Sequence, residues 1–257
     1  MTFTILAVSP ATGEHGFAQT TSTPLIGNWC TAIVHNKGVV TVQAAGDPRL
    51  LRLAVALMEQ GNPPAKIIKD LDESDDCLGR QLAVIDVAGR SAVHTGPEAW
   101  ETAGEIVGPD YVVTGNTLVG TNVLTAMARA FEESAGRDFA DRLVASIEAG
   151  RDAGGQPDGQ TSSQVRVANQ TAESLNLRVD LHPEPVGHLR RLLDWYQPLR
   201  PYYDAYRLDP RTETFSLDHW EALAESGQPF FPADGGWTAA DVEARTQLVL
   251  DLSKSDS

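Results

Sequence analysis

Thr2 is the first residue in the chain able to do chemistry unaided. Removal of Met1 is expected before so small a residue, which leaves Thr2 with a free α-amine. The Thr hydroxyl is a weak nucleophile until a base accepts its proton, and the amine on the same residue can do so. An α-amine titrates near pH 8, so a useful share is neutral at working pH (about 8). Asn116 closes the Tyr111–Asn116 segment behind Gly115, where it either offers its amide to a developing oxyanion or serves as a turn residue tolerant of left-handed backbone. Arg80, Asp86 and Asp158 suit orientation of the amine or recognition of a substrate carboxylate, and equally an ion pair at a sheet edge. Ser162 and Ser163 are candidate donors near the amine or simply polar strand positions; His94 and Thr95 flank a turn at Gly96.

These residues need a frame, and the pattern supplies one. Phe3–Val8, Thr31–His35 and Val39–Gln43 are β-prone runs, the last two joined by a hairpin turn at Asn36-Lys37-Gly38. Asp47-Pro48 caps and opens a helix whose apolar residues Leu50, Leu51, Leu53, Ala54, Leu57 and Met58 recur at helical spacing until Gly61. A short helix over 64–71 follows. Strands over 82–87 and 91–95 turn at Ala88-Gly89-Arg90, and Tyr111–Thr114 is another. Helices are predicted over 121–133 and 139–149, a glycine-rich loop over 150–159, and strands at 165–167 and 177–180. Hairpins rather than βαβ crossovers join most strands, which favours antiparallel sheets covered by helices. Beyond His182-Pro183 the chain becomes helical and aromatic, with Trp195, Tyr196, Tyr202, Tyr203, Tyr206, Trp220 and Trp237, a helix expected over 238–252 and a frayed end over 253–257. The expected division is therefore 1–182 for the α/β body and 183–257 for a helical extension whose aromatic cluster suits core or subunit interface.

Composition excludes several classes. Thirty-five acidic against twenty basic residues give a net charge of −15, which repels phosphate backbones and anionic membranes. No nucleic-acid or membrane partner is expected. A hydrophobic share of 42% is that of a globular protein. Cys30 and Cys77 read as thiols in a reducing compartment, so the expected location is cytoplasmic. The six histidines show no ligand spacing and there is no phosphate-binding glycine loop, so no metal and no cofactor is expected.

Several motifs recur in a recognisable order. Thr2-Phe3-Thr4, Ser9-Pro10-Ala11-Thr12-Gly13 and Gly16-Phe17-Ala18 open the chain; Arg80-Gln81 through Asp86, Gly89-Arg90, His94-Thr95-Gly96 and Ala103-Gly104 follow. Gly115-Asn116-Thr117-Leu118, Ala126-Met127-Ala128, Ala130-Phe131-Glu132, the 143–155 stretch, Asp158 to Ser163 and Leu177-Arg178-Val179-Asp180 with His182-Pro183 complete the series. In this order they resemble the bacterial family known as domain of unknown function 1028, which is grouped by fold with the N-terminal-nucleophile (Ntn) hydrolases. Glu105 stands where that family commonly has His, Thr161 interrupts its R-G-x-Q-S-A pattern, and the stretch 20–29 differs. The resemblance implies an α/β fold of α+β type, a four-layer αββα sandwich, with Thr2 in the nucleophile position at a strand start. The function it implies is hydrolysis of a small-molecule amide. The alternative is a non-catalytic small-molecule-binding protein on the same fold, and a third reading is an assembly protein built through the aromatic extension. A homo-oligomer is expected.

Overall fold

The computed structural model describes residues 1–74, 77–197 and 200–209. Residues 1–191 form one compact unit, and a second begins at Leu192. The first unit holds β1 (Thr2–Ser9), β2 (Glu14–Thr21), a 3-10 turn (Ile26–Asn28), β3 (Thr31–Val34), β4 (Gly38–Ala44), α1 (Pro48–Glu59) and α2 (Pro64–Ser74). Then come β5 (Arg80–Asp86), β6 (Ser91–Thr95), β7 (Gly104–Val107), β8 (Tyr111–Asn116), α3 (Asn122–Glu133), α4 (Phe139–Asp152), β9 (Ser162–Ala168) and β10 (Glu173–Val179). Helix α5 (Pro185–Tyr196) starts in this unit, and α6 (Arg200–Leu208) lies in the second.

Six strands pair in the order β10-β9-β2-β1-β8-β7 and four in the order β3-β4-β5-β6. Every pairing is antiparallel. The sheets face each other, with β1 against β4 and β5; α3 and α4 cover the larger sheet and α1 and α2 the smaller. The expected αββα sandwich is the observed fold. Residue pattern alone misses β2 (Glu14–Thr21) and β7; β7, Gly-Glu-Ile-Val, is short and lies at the sheet edge. The helix expected over 238–252, the tail over 253–257, Trp220 and Trp237 fall outside the described residues.

Strand alternation sorts side chains between three cores. Val40, Val42, Leu82 and Val84 pack with Leu50, Ala54, Met58, Ile67 and Leu71 under α1 and α2. Between the sheets, Leu6, Val8, Phe17, Val39, Ala83, Ile85 and Val112 form an apolar core. On the opposite face of β1, Phe3 and Ile5 are fully buried on the side covered by α4. Helix starts are fixed locally. Asp47 accepts from the Arg49 backbone N–H at 2.7 Å ahead of Pro48, and Asp138 accepts from Ala140 N–H at 2.9 Å. Arg190 of α5 ties to Asp141 and, at 2.8 Å, to Glu148 of α4. In the second unit, Tyr196 and Tyr203 stack with ring centroids 5.5 Å apart.

Gly16 marks the tightest strand approach near the middle of the larger sheet: a Cβ there would lie 2.3 Å from the Arg166 carbonyl oxygen. The β2–β9 pairing must spread to admit it. Gly16→Ala is therefore expected to cost about 2–3 kcal/mol, the scale of overpacking a well-filled site, read as a lower denaturant midpoint.

Candidate active site

The inter-sheet space changes character along the strands. Beyond Leu6 and Phe17, the inward positions of the larger sheet become Thr4, Gln19 and Gln164, then Asn116, Thr2, Thr21 and Ser162. Facing them on the smaller sheet are Thr31, Thr41, Gln43 and Gln81. All of these are buried. A sandwich end filled with neutral polar side chains is costly unless each is bonded, and here the bonds converge on Thr2.

Asn116 and Thr21 are the direct cross-strand partners of Thr2. The Thr2 backbone N–H donates to Asn116 Oδ1 at 3.1 Å, and Thr2 Oγ1 donates to Thr21 Oγ1 at 3.2 Å. Thr21 in turn donates to the Met1 carbonyl. Asn116 Nδ2 donates to Gln81 Oε1 at 3.2 Å, and the same oxygen accepts from Gln43 Nε2 at 2.7 Å. Gln43 Oε1 accepts from Thr4 Oγ1 at 2.8 Å, which closes the network back onto β1. Gln81 Nε2 shares its hydrogens among Thr95 Oγ1, the Gly104 carbonyl and the Gly115 carbonyl, each at 3.0 Å. Gln81 is thus the hub that fixes Asn116, and Asn116 fixes the Thr2 nitrogen.

This geometry revises the reading of Asn116. Both polar atoms of its side chain are engaged, one by the Thr2 nitrogen and one by Gln81. Its place is beside the nitrogen, not open toward a substrate oxyanion. Nor is it the left-handed turn residue; that is Thr117, with φ of 52°. Leu25, Ala44 and Thr102 also have positive φ, at 66°, 67° and 53°. Ala44 and Thr117 sit at strand ends, Thr102 lies two residues before β7, and Leu25 caps the 3-10 turn. Strained backbone at β-branched threonines persists only where surroundings impose it, and such sites cluster at functional places.

The other expected residues separate. Thr95 joins the network through Gln81 and donates to Glu105. Ser162 lies in the Thr2–Thr21 row, but its hydroxyl is held by the Thr23 carbonyl at 2.6 Å and the Ile26 N–H at 3.1 Å. Ser163 points the other way, donating to the Pro185 carbonyl at 2.8 Å. Arg80 reaches the Ala45 carbonyl and lies 3.5 Å from Asp47, the cap of α1. Asp86 is at the far end of β5, paired with Arg90 at 2.7 Å in the hairpin turn. His94 Nε2 is 3.3 Å from the Cys77 carbonyl and 4.0 Å from Asp72 of α2. Asp158 is exposed on the α4–β9 loop. Residue pattern missed Thr21, Gln43 and Gln81 as site residues. The signal was present: Thr41 and Gln43 in VVTVQ, and Gln81 in RQLAV, put amides and hydroxyls where a doubly covered strand calls for apolar residues.

Side-chain hydrogen bonds of Thr2, Thr21, Gln43 and Asn116 all go to neutral partners. No three His, Cys, Asp or Glu side chains come together as a metal cluster among the described residues. Cys30 is nearby, its carbonyl accepting from Val42 N–H at 2.7 Å. Burial pushes its thiol up to about 11. Since the thiolate is the nucleophile, native Cys30 is expected to resist iodoacetamide at pH 8. Denaturation should bring its alkylation to the rate of a free thiol, as followed by mass.

The chain matches the family of unknown function DUF1028 over residues 2–189. It belongs to that family. A crystal structure of a DUF1028 protein from Silicibacter pomeroyi shares 30% identity with this DUF1028 chain, with a TM-score of 0.70 over 76% of this chain and 89% of that one. Anbu, the ancestral β-subunit, from Yersinia bercovieri aligns at 12% identity and a TM-score of 0.38 over 79% of this chain and 97% of that one. No curated protein matches. Among the described residues of this DUF1028 member, no helix is long and apolar enough to cross a membrane.

Proposed function

We propose that this chain hydrolyses an amide bond of a small molecule, in the manner of an Ntn hydrolase, with Thr2 as nucleophile once Met1 is removed. The observation that carries the reading is the fixed placement of both functional atoms of Thr2, its nitrogen on Asn116 and its hydroxyl on Thr21. A nucleophile and its base must be held in one geometry to act together. Here a buried network of neutral groups holds them.

In the proposed reaction Thr2 Oγ attacks the amide carbonyl carbon while its proton passes to the Thr2 amine. Asn116 Oδ1 accepts one amine hydrogen, which leaves the amine lone pair for that proton. Thr2 is buried among neutral partners, and desolvation disfavours the charged form of an amine in such surroundings. The carbonyl becomes a tetrahedral oxyanion. Thr21, which donates to the Met1 carbonyl in the unprocessed chain, is the donor released by loss of Met1 and next to the attacking oxygen. Collapse of the intermediate breaks the C–N bond, and the leaving amine takes the proton from the Thr2 ammonium. Water then attacks the ester, releasing a carboxylic acid and restoring Thr2.

A cytoplasmic location, a small-molecule partner and a homo-oligomer accord with this reading and belong to the same proposal. Intact mass of the purified chain tests its first requirement. The expected mass is that of a chain beginning at Thr2. A retained Met1 acylates the amine, removes the base and leaves the non-catalytic binding reading.

A further inference from the structure

The hydrogen bonds that fix Asn116 continue past Gln81 to the surface. Gln81 Nε2 donates to Thr95 Oγ1 at 3.0 Å, and Thr95 Oγ1 donates to the Glu105 carboxylate. Thr95 ends β6 at the edge of the smaller sheet, and Glu105 lies on β7 at the edge of the larger one. Glu105 sits opposite Thr114, the partner of Thr4, and so belongs to the inter-sheet face. Two backbone carbonyls set the direction of this chain of bonds. Those of Gly104 and Gly115 can only accept, so the Gln81 atom against them is the nitrogen. Gln81 then turns its oxygen to Asn116, which must answer with its nitrogen and keep its oxygen for Thr2. Gln81 Nε2 has no lone pair, so Thr95 gives its one hydrogen to Glu105. Every donor from Thr2 to Thr95 points the same way, and the series ends on a carboxylate.

Bonds aligned head to tail polarise one another, and a carboxylate at the accepting end makes the oxygen at the other end a stronger acceptor. On the proposed reading, which this inference rests on, that oxygen is Asn116 Oδ1 and it holds the Thr2 amine. A hydrogen bond to the charged form of a group favours that form, and the amine becomes charged when it takes the Thr2 hydroxyl proton. We infer that Glu105 is a positioning residue of the reaction: through Thr95, Gln81 and Asn116 it orients the Thr2 amine and makes it a better proton acceptor. The other titratable groups on the elements around Thr2 and Glu105 are engaged elsewhere. Arg80 faces Asp47, and His94 faces the Cys77 carbonyl and Asp72. On α4, Arg151 pairs with Asp152, Asp141 and Glu148 pair with Arg190, and Arg142 lies over Phe131. On α3, Arg129 pairs with Glu133, and Glu132 accepts from Tyr111. Glu14, His15 and Asp86 lie at the far end of their strands from the Thr2 row. The Cys30 thiol is near enough to act on the N-terminus of the unprocessed chain, and burial pushes it up to about 11, so it stays neutral.

The test is the pH titration of the Thr2 methyl resonance in the threonine-labelled full chain, with Thr2→Ser identifying the signal. It reads the amine and needs no turnover. Glu105→Gln removes the charge and keeps an oxygen to accept from Thr95. Thr95→Val releases Glu105 from the chain of bonds and still leaves Gln81 Nε2 two carbonyls for its two hydrogens. Both should leave the thermal midpoint nearly unchanged. Both should lower the titration midpoint of the amine by about half a pH unit, a modest shift because Glu105 is exposed and screened. Above that midpoint, where the amine is neutral in every variant, acylation of Thr2 by a β-lactone should slow about two- to three-fold, because a weaker base accepts the hydroxyl proton less readily. A midpoint unmoved or raised in either variant, or a free amine that does not titrate, would overturn the role of Glu105 while leaving Thr2 as nucleophile. If the midpoint falls as expected but Thr2 is never acylated, Glu105 governs the amine and the hydrolase reading fails. Retention of Met1 removes the amine and overturns both.

Discussion

Thr2→Ala is expected to lower amide turnover by at least about 10³-fold, since loss of a nucleophile that works with its own base removes covalent catalysis altogether. The loss should fall on kcat. Substrate affinity should persist, because the bonds from Thr2 nitrogen to Asn116 and from Asn116 to Gln81 do not involve the hydroxyl. Thr2→Ser keeps both a hydroxyl and an amine and should retain measurable turnover. The fold should tolerate either change, since the Thr2 side chain makes a single hydrogen bond, to Thr21. Kinetics on a substrate found by screening, together with thermal midpoints of the three proteins, check this. Wild-type turnover by Thr2→Ala would remove Thr2 from the chemistry.

The second large effect belongs to Gln81, which is fully buried. Gln81→Leu keeps roughly the same bulk but leaves Gln43 Nε2, Asn116 Nδ2 and the carbonyls of Gly104 and Gly115 without this partner. An unsatisfied buried polar group costs about 1–3 kcal/mol, and part of that total is recovered by local rearrangement. The expected loss of stability is about 3–5 kcal/mol, near the upper end for a single substitution, measured by denaturant unfolding. Turnover by the fraction that remains folded should fall as well, because Asn116 loses the contact that holds it against the Thr2 nitrogen. A loss below about 1 kcal/mol would mean that the network does not depend on its hub.

The fold was largely legible because its signals are local. The Asn36-Lys37-Gly38 and Ala88-Gly89-Arg90 turns, the Asp47-Pro48 helix start and the apolar spacing of α1 and α3 each depend on neighbours in sequence. Asn116 stood out by its Gly-Asn strand end, but its place as the direct cross-strand partner of Thr2 comes from the register. What remained hidden was direction. Arg80 and Gln81, His94 and Thr95, Ser162 and Ser163 are neighbouring pairs in which one residue faces between the sheets and the other faces the helices. A one-residue step in a strand reverses the face, and composition is silent on which step is which. Thus Arg80, His94 and Ser163 serve α1, α2 and α5, while Gln81, Thr95 and Ser162 line the polar end of the sandwich. Asp86 failed for a different reason: it lies at the opposite end of β5 from Arg80 and Gln81, away from the Thr2 end of the sandwich.

The most direct measurement is peptide mapping by mass spectrometry after the purified protein is exposed to an acylating probe such as a β-lactone. The account predicts a chain beginning at Thr2, a single acyl group on the peptide 2–21 side of the first hairpin, and fragment ions that place it on Thr2. It also predicts that Thr2→Ala takes up none. Acylation of wild type at another residue, or none on Thr2 in protein that has lost Met1, would contradict the central claim.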